Sequence, residues 1–320
     1  MKKTLPLFLA AALSTGFYSS CKKKDKDPVE TEIPAPVTPV APDPYTYNPE
    51  LQSSKSIAYA ATALTDIEMI CAFTGERYPK PLFYEPAPGG GSIVTTIDTV
   101  SYYLFISYNN TLCKDGKVRD GTIALNYGTS STPPKYYRQY GYTGKLQLIN
   151  YTVDGWKIAL TKSSTITNKL GSPNFNPATT NLSWELAGGF MLTRQNDTIV
   201  WDGSITKLLA NTNDPMVFPG PDKPINWSAA KVQYFGAVSG TYKGLSYTFK
   251  LDASKPPLRD FVCTVPGSQQ GSQLHPFTAG EALFTISNYH PRSINYGAPQ
   301  TCDNKATVSF KGEVYDINLD

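Results

Sequence analysis

The sequence predicts an all-β fold: an antiparallel meander of many hairpins forming a sandwich or a large curved sheet, with one N-terminal helix. Three observations lead there. From Ser92 onward, β-branched and aromatic residues fill short segments such as Ile93-Val94-Thr95-Thr96-Ile97 and Tyr102-Tyr103-Leu104-Phe105-Ile106. Asp-Gly pairs at Asp115-Gly116, Asp120-Gly121, Asp154-Gly155 and Asp202-Gly203 punctuate these segments, and such pairs signal hairpins between alternating runs. A glycine followed by alternate apolar residues recurs after Gly121, Gly144, Gly203 and Gly312, at spacings too irregular for a solenoid or propeller. No helical period separates the strands, which argues against a parallel α/β sheet.

The elements follow in chain order. Residues 1–20 read as a secretory signal: Lys2 and Lys3 precede a short apolar run from Leu5 to Phe17, and Ser19 and Ser20 lead to Cys21. A cysteine placed directly after small residues resembles the lipobox of bacterial lipoproteins, which implies diacylation of the Cys21 thiol and acylation of the new amino terminus. Tyr18 stands where that motif usually has leucine. Residues 21–49 then form a tether, with a Lys22–Asp27 charged run and prolines at 28, 34, 36, 39, 42, 44 and 49. Residues 50–320 are predicted to be a single β-rich domain. It opens with a helix over 51–73, where Ile57, Ala60, Ala61, Leu64, Ile67 and Ile70 recur at three- and four-residue steps and point to packing on the end or face of a sheet. The clearest hairpin runs from Leu146 to Val153, through Asp154-Gly155, and back from Trp156 to Leu160. About a dozen strands or more are expected in all. No stretch after the signal is read as a span of about 20 apolar residues.

Charge narrows the function. Lys and Arg total 29 against 26 acidic residues, and both signs are dispersed, so the dense basic stripe of a nucleic-acid binder is missing. Two histidines, His275 and His290, argue against a histidine-rich metal site. Gly89-Gly90-Gly91 lacks the lysine of a phosphate loop, and no Gly-x-Ser-x-Gly elbow occurs. The acids fall mainly at turns or solvated strand positions, so the reading favours a protein without catalytic residues, cofactor or metal. Trp156, Trp184, Trp201 and Trp227 leave a second reading open, in which exposed rings stack on glycans. A glycan-active hydrolase, with two carboxylates across a cleft, is the third.

With Cys21 acylated, four cysteines remain, and an exported chain favours pairing them. Cys263 with Cys302 and Cys71 with Cys113 close the shortest loops, and loop-closure entropy disfavours the crossed alternatives. The competing reading is four buried thiols.

Four ordered segments carry a wider resemblance. Cys113-Lys-Asp-Gly-Lys-Val-Arg-Asp-Gly-Thr-Ile, Trp201-Asp-Gly-Ser-Ile-Thr, Pro257-Leu-Arg-Asp-Phe-Val-Cys263 and Asn295-Tyr-Gly-Ala-Pro-Gln-Thr-Cys302-Asp-Asn-Lys-Ala-Thr-Val resemble a family of uncharacterised Bacteroidota lipoproteins. The resemblance implies a secreted, lipid-anchored, all-β protein of the cell envelope, expected in the outer membrane with its leaflet undecided, and carries over no activity. The expected partners are the membrane, through the N-terminal lipid, and a glycan or envelope protein. Cys21→Ala should therefore release the chain from the membrane fraction of a Gram-negative host. A variant that stays bound through a carbonate wash would refute lipid anchoring.

Overall fold

The computed structural model describes residues 48–76, 82–128, 137–172, 181–220, 223–267, 272–298 and 301–319. The signal segment, Cys21 and nearly all of the tether lie outside the described residues.

Helix α1 (Pro49–Gly75) starts earlier than the apolar pattern suggests. Asn48 caps it, its side chain accepting from the N–H groups of Glu50 (3.0 Å) and Leu51 (3.1 Å). Pro49, expected at the end of the tether, instead opens the helix, where its missing N–H costs nothing. The expectation that α1 buries a single stripe is also corrected: Ser53, Ser54, Ser56, Thr65 and Thr74 are buried together with the apolar residues. Their hydroxyls mostly turn back onto the helix, Ser54 donating to Glu50 O (2.8 Å), Thr65 to Ala61 O (3.0 Å) and Thr74 to Ile70 O (2.8 Å). Small, self-satisfied polar groups let most of the helix surface be enclosed, with Gln52, Lys55, Tyr59 and Thr62 left as one partly exposed stripe. By length and composition α1 could cross a membrane, contrary to the sequence reading, yet it forms the core of this domain.

The strands are β1 (Ser92–Asp98), β2 (Tyr103–Leu112), β3 (Val118–Asn126), β4 (Thr143–Val153), β5 (Trp156–Asn168), β6 (Ser183–Arg194), β7 (Asp197–Leu209), β8 (Lys231–Tyr242) and β9 (Leu245–Leu251). They continue as β10 (Leu258–Asp260), β11 (Val265–Pro266), β12 (Gln273–Leu274), β13 (Phe277–Ala279), β14 (Glu281–Ile286), β15 (Arg292–Asn295), β16 (Lys305–Phe310) and β17 (Glu313–Asn318). One antiparallel sheet takes them almost in chain order, β1 through β9 and then β14 through β17, with β10 beside β8 and β13. β11 and β12 pair separately.

The predicted meander is present, as a large curved sheet that is not closed. Its curvature follows from what touches α1: Tyr59 bonds β4, Glu68 pairs with β7, Asp66 with β10, and Ser53 with β15. Strands far apart in the order therefore meet one helix. The chain from Asp252 to Gly280 also links the two ends of the order. The Gln273 N–H donates to Lys114 O in the β2–β3 turn (2.6 Å), while Cys263 is disulfide-bonded to Cys302 between β15 and β16.

Two of the four Asp-Gly pairs sit in hairpin turns, at Asp115-Gly116 and Asp154-Gly155. The second has positive φ at both residues (48° and 75°), the type I′ signature. The other two lie inside strands. Asp120-Gly121 forms a bulge where the β3–β4 register shifts. Gly203 lies opposite Gly188 and Val238 in mid-sheet, where an added Cβ would come within 2.7 Å of Ala237 O. These glycines serve close strand approach, which local spacing does not distinguish from a turn.

Cys263 and Cys302 pair as expected, with Cα atoms 5.5 Å apart. The expected Cys71–Cys113 bridge is absent, and both thiols are buried and free. The two thiols lie in different surroundings. Cys71 faces the charges of Glu68 and Lys207, whereas Cys113 sits beside Arg119 and bridges to Pro86. Burial pushes both thiols up, Cys113 to about 11, so neither is a ready nucleophile. Non-reducing peptide mapping should find one cross-link, Cys263 to Cys302. Cys71 and Cys113 should alkylate only after denaturation, and a Cys71–Cys113 peptide would overturn this assignment.

Candidate functional site

Helix α1 carries three acids, followed by Glu76 at its C-cap, into or beside the core, and strands and loops bring cations to them. Asp66 meets Lys117 Nζ (2.8 Å), Arg259 Nη1 (2.8 Å) and Arg119 Nη2 (3.6 Å), and accepts from Tyr84 OH (3.2 Å). Burial alone would raise its proton affinity. The three cations outweigh that and hold the carboxyl well below the usual carboxylate range. Arg119 is itself clamped by both oxygens of Asp115 (2.7 and 2.6 Å). Lys117 and Arg119 stand two residues apart, the spacing that puts side chains on the same face of a strand. Further along, Glu68 pairs with Lys207 (2.8 Å) and accepts from Tyr137 OH, and Glu76 pairs with Arg138. At the helix start, Glu50 faces His290 Nδ1 (3.1 Å) and Lys311 (3.5 Å).

The four tryptophans are buried, at most 2% exposed, which corrects the glycan-stacking expectation. Trp184 and Trp227 lie 4.9 and 4.4 Å from the Lys207 ammonium, and Tyr137 is stacked on Trp184. These rings cage one of the chain's own cations. Trp201 packs on Phe249, 5.7 Å between ring centres. Trp156 packs on Tyr59 (5.8 Å) and is covered by the Arg194 guanidinium at 4.5 Å, so no ring face is left for a pyranose.

A cavity of about 440 Å³ opens where α1 meets the β2–β3 and β4–β5 turns. Lys55 and Tyr59 of α1, Asp115 and Lys117, Asp154 and Trp156, Arg194 at the end of β6 and Asn318 of β17 line it. Its acids are engaged: Asp115 by Arg119, and Asp154 by the Val118 N–H (2.9 Å) and Tyr59 OH (3.4 Å). Two of its cations are not, since neither Lys55 nor Arg194 makes an ion pair among the described residues. No group of three or more His, Cys, Asp or Glu suited to a metal occurs among the described residues. The cavity thus holds groups suited to binding an anion. The sequence reading named Trp156 only as a stacking candidate and missed Lys55, Lys117 and Arg194, which look like ordinary surface charges until the turns converge. For the core acids a signal did exist, in Asp66 and Glu68 set within an apolar helix.

No protein-family profile, curated protein or solved structure matches this chain.

His275 closes the ionic cluster on the side of the Asp252–Gly280 segment. Its ring lies 3.9 Å from Phe83 and 5.5 Å from Phe261, its Nδ1 has no hydrogen-bond partner, and its carbonyl accepts from Arg259 Nε (2.6 Å). Burial, reinforced by the Arg259 charge, lowers its pKa to about 4. The unfolded chain takes up this proton near pH 6.5, while the fold refuses it until about pH 4, so His275 withdraws stability as pH falls between those values. The slope reaches at most about 1.4 kcal/mol per pH unit. Urea unfolding of the wild type at pH 7 and pH 5 should show this loss, and His275→Gln should show markedly less of it. An equal loss in the variant would assign the pH dependence elsewhere.

Proposed function

We propose that this chain is a non-enzymatic, lipid-anchored protein of the cell envelope, and that its β-domain makes contact with a partner. An extended, uncharged segment of another envelope protein adds to the free edge of β1. The signal, Cys21, the proline-rich tether and the four-segment lipoprotein resemblance support the anchored placement.

The contact is carried by one observation, the contrast between the two sheet edges. β17 has Glu313 and Asp316 among its six residues, the kind of charge that blunts an edge against added strands. Among the described residues β1 bonds only β2, and its Ser92–Ile97 stretch holds no charge, proline or glycine. Five of those six residues are β-branched, and Val94 (59%) and Ile97 (54%) are more than half exposed. Unpaired N–H and C=O groups beside apolar, strand-forming side chains are the requirements for β-strand addition.

A photo-crosslinking residue at position 94 of the full-length protein, in cells that naturally make it, should give one discrete adduct. Mass spectrometry should identify its second component as another envelope protein, joined through an extended segment. Position 283, on β14 within the strand order, should give none. Thr96→Pro and the milder Val94→Lys should both weaken the adduct at least tenfold while circular dichroism stays unchanged. An adduct between two copies of this chain, or none at position 94, would overturn the reading.

A further inference from the structure

We propose that the cavity beside Trp156 binds a small hydroxylated carboxylate, an acidic sugar of uronic-acid type. This site is separate from the β1 edge. Arg194 and Lys55 carry the argument, because both reach the cavity with no ion-pair partner among the described residues. Arg194 is held with its guanidinium 4.5 Å from the Trp156 ring. Stacking fixes the plane of the fork, and a fixed fork matches the two oxygens of a carboxylate. Trp156 thus acts as the support of a cation, with no sugar on its face.

Charge sets the valence of the ligand. Lys55, Lys117 and Arg194 stand against Asp115 and Asp154, leaving one surplus positive charge on the lining. That suits a monoanion, whereas a phosphate dianion would meet the two carboxylates with a charge uncompensated. The remaining lining groups suit hydroxyls. Gln52 and Asn318 offer amides, and Asp154 keeps acceptor capacity beyond the bonds it takes from Val118 N–H and Tyr59 OH. A volume of about 440 Å³ lies within the range of small-molecule sites.

The test is calorimetric titration of the detergent-solubilised full-length protein with glucuronate, galacturonate, glucose, lactate and glucose 6-phosphate. At least one uronate should bind, with glucose, lactate and the phosphate ester each at least tenfold weaker. Arg194→Gln and Lys55→Gln should each weaken that uronate at least tenfold, and Arg194→Lys should recover part of the loss. Both residues lie at the surface of the cavity, and thermal melting should confirm that each variant keeps its fold. No uronate binding, binding indifferent to both substitutions, or equal affinity for glucose would overturn the proposal. So would tighter binding of the phosphate ester or of lactate. None of these results bears on position 94, so this proposal and the edge contact fail independently.

Discussion

Asp66 and Glu68 on α1, and Glu76 at its C-cap, are buried within the sheet, so each needs a cation inside the core before the fold can close. An unmatched charge there is expensive, and breaking a buried pair commonly costs about 3–5 kcal/mol. Domain stability as a whole is only about 5–15 kcal/mol, so a single lost partner removes a large share. The partners come from separated parts of the chain, Lys117 and Arg119 at the start of β3, Arg138 ahead of β4, Lys207 on β7 and Arg259 on β10. Rotating α1 by one residue turns it about 100° and would carry Asp66 away from all three of its cations. The pairs therefore fix how the helix sits in the sheet, a task that generic apolar packing performs poorly.

The aromatic residues extend the same logic. A buried lysine needs more than one carboxylate, and Lys207 gains the faces of Tyr137, Trp184 and Trp227 along with Glu68. Arg292 likewise stacks on Phe284 while donating to the Ser53 hydroxyl and the Glu50 carbonyl. Several of the buried tyrosine and tryptophan rings thus lie against cations of the core. The open seam of the sheet is secured in another way, by the Asp252–Gly280 segment. That segment is tied to the β2–β3 turn by a backbone bond and to the β15–β16 connection by the Cys263–Cys302 disulfide.

Much of the architecture was legible in local sequence. Alternating β-branched segments and the Asp154-Gly155 turn identify the meander, and loop length ranks Cys263–Cys302 correctly. Properties that depend on three-dimensional convergence were not legible. Periodicity shows one apolar stripe on α1 but does not show that Ser53, Ser54 and Thr65 satisfy themselves and allow burial on the opposite side. The Cys71–Cys113 pairing followed from chain entropy, which takes no account of the separate buried surroundings that hold the two thiols. Composition likewise counts the tryptophans without revealing that cations already occupy their faces. The cavity was the least visible feature, since Lys55, Asp115, Asp154 and Arg194 are far apart in the chain and ordinary in their local settings.

The acids of α1 also matter before the sheet exists. In chain order the helix precedes every strand, so it is complete as a segment while its cationic partners are still unmade. At that stage it is long and apolar enough to be taken up by a bilayer. Asp66 and Glu68 oppose that outcome, because an aspartate near the middle of a span raises the cost of insertion by about 2.5–3.5 kcal/mol. The carboxylates that orient the helix in the folded domain thus also weigh against its entry into a bilayer wherever the cations of β7 and β10 have yet to neutralise them.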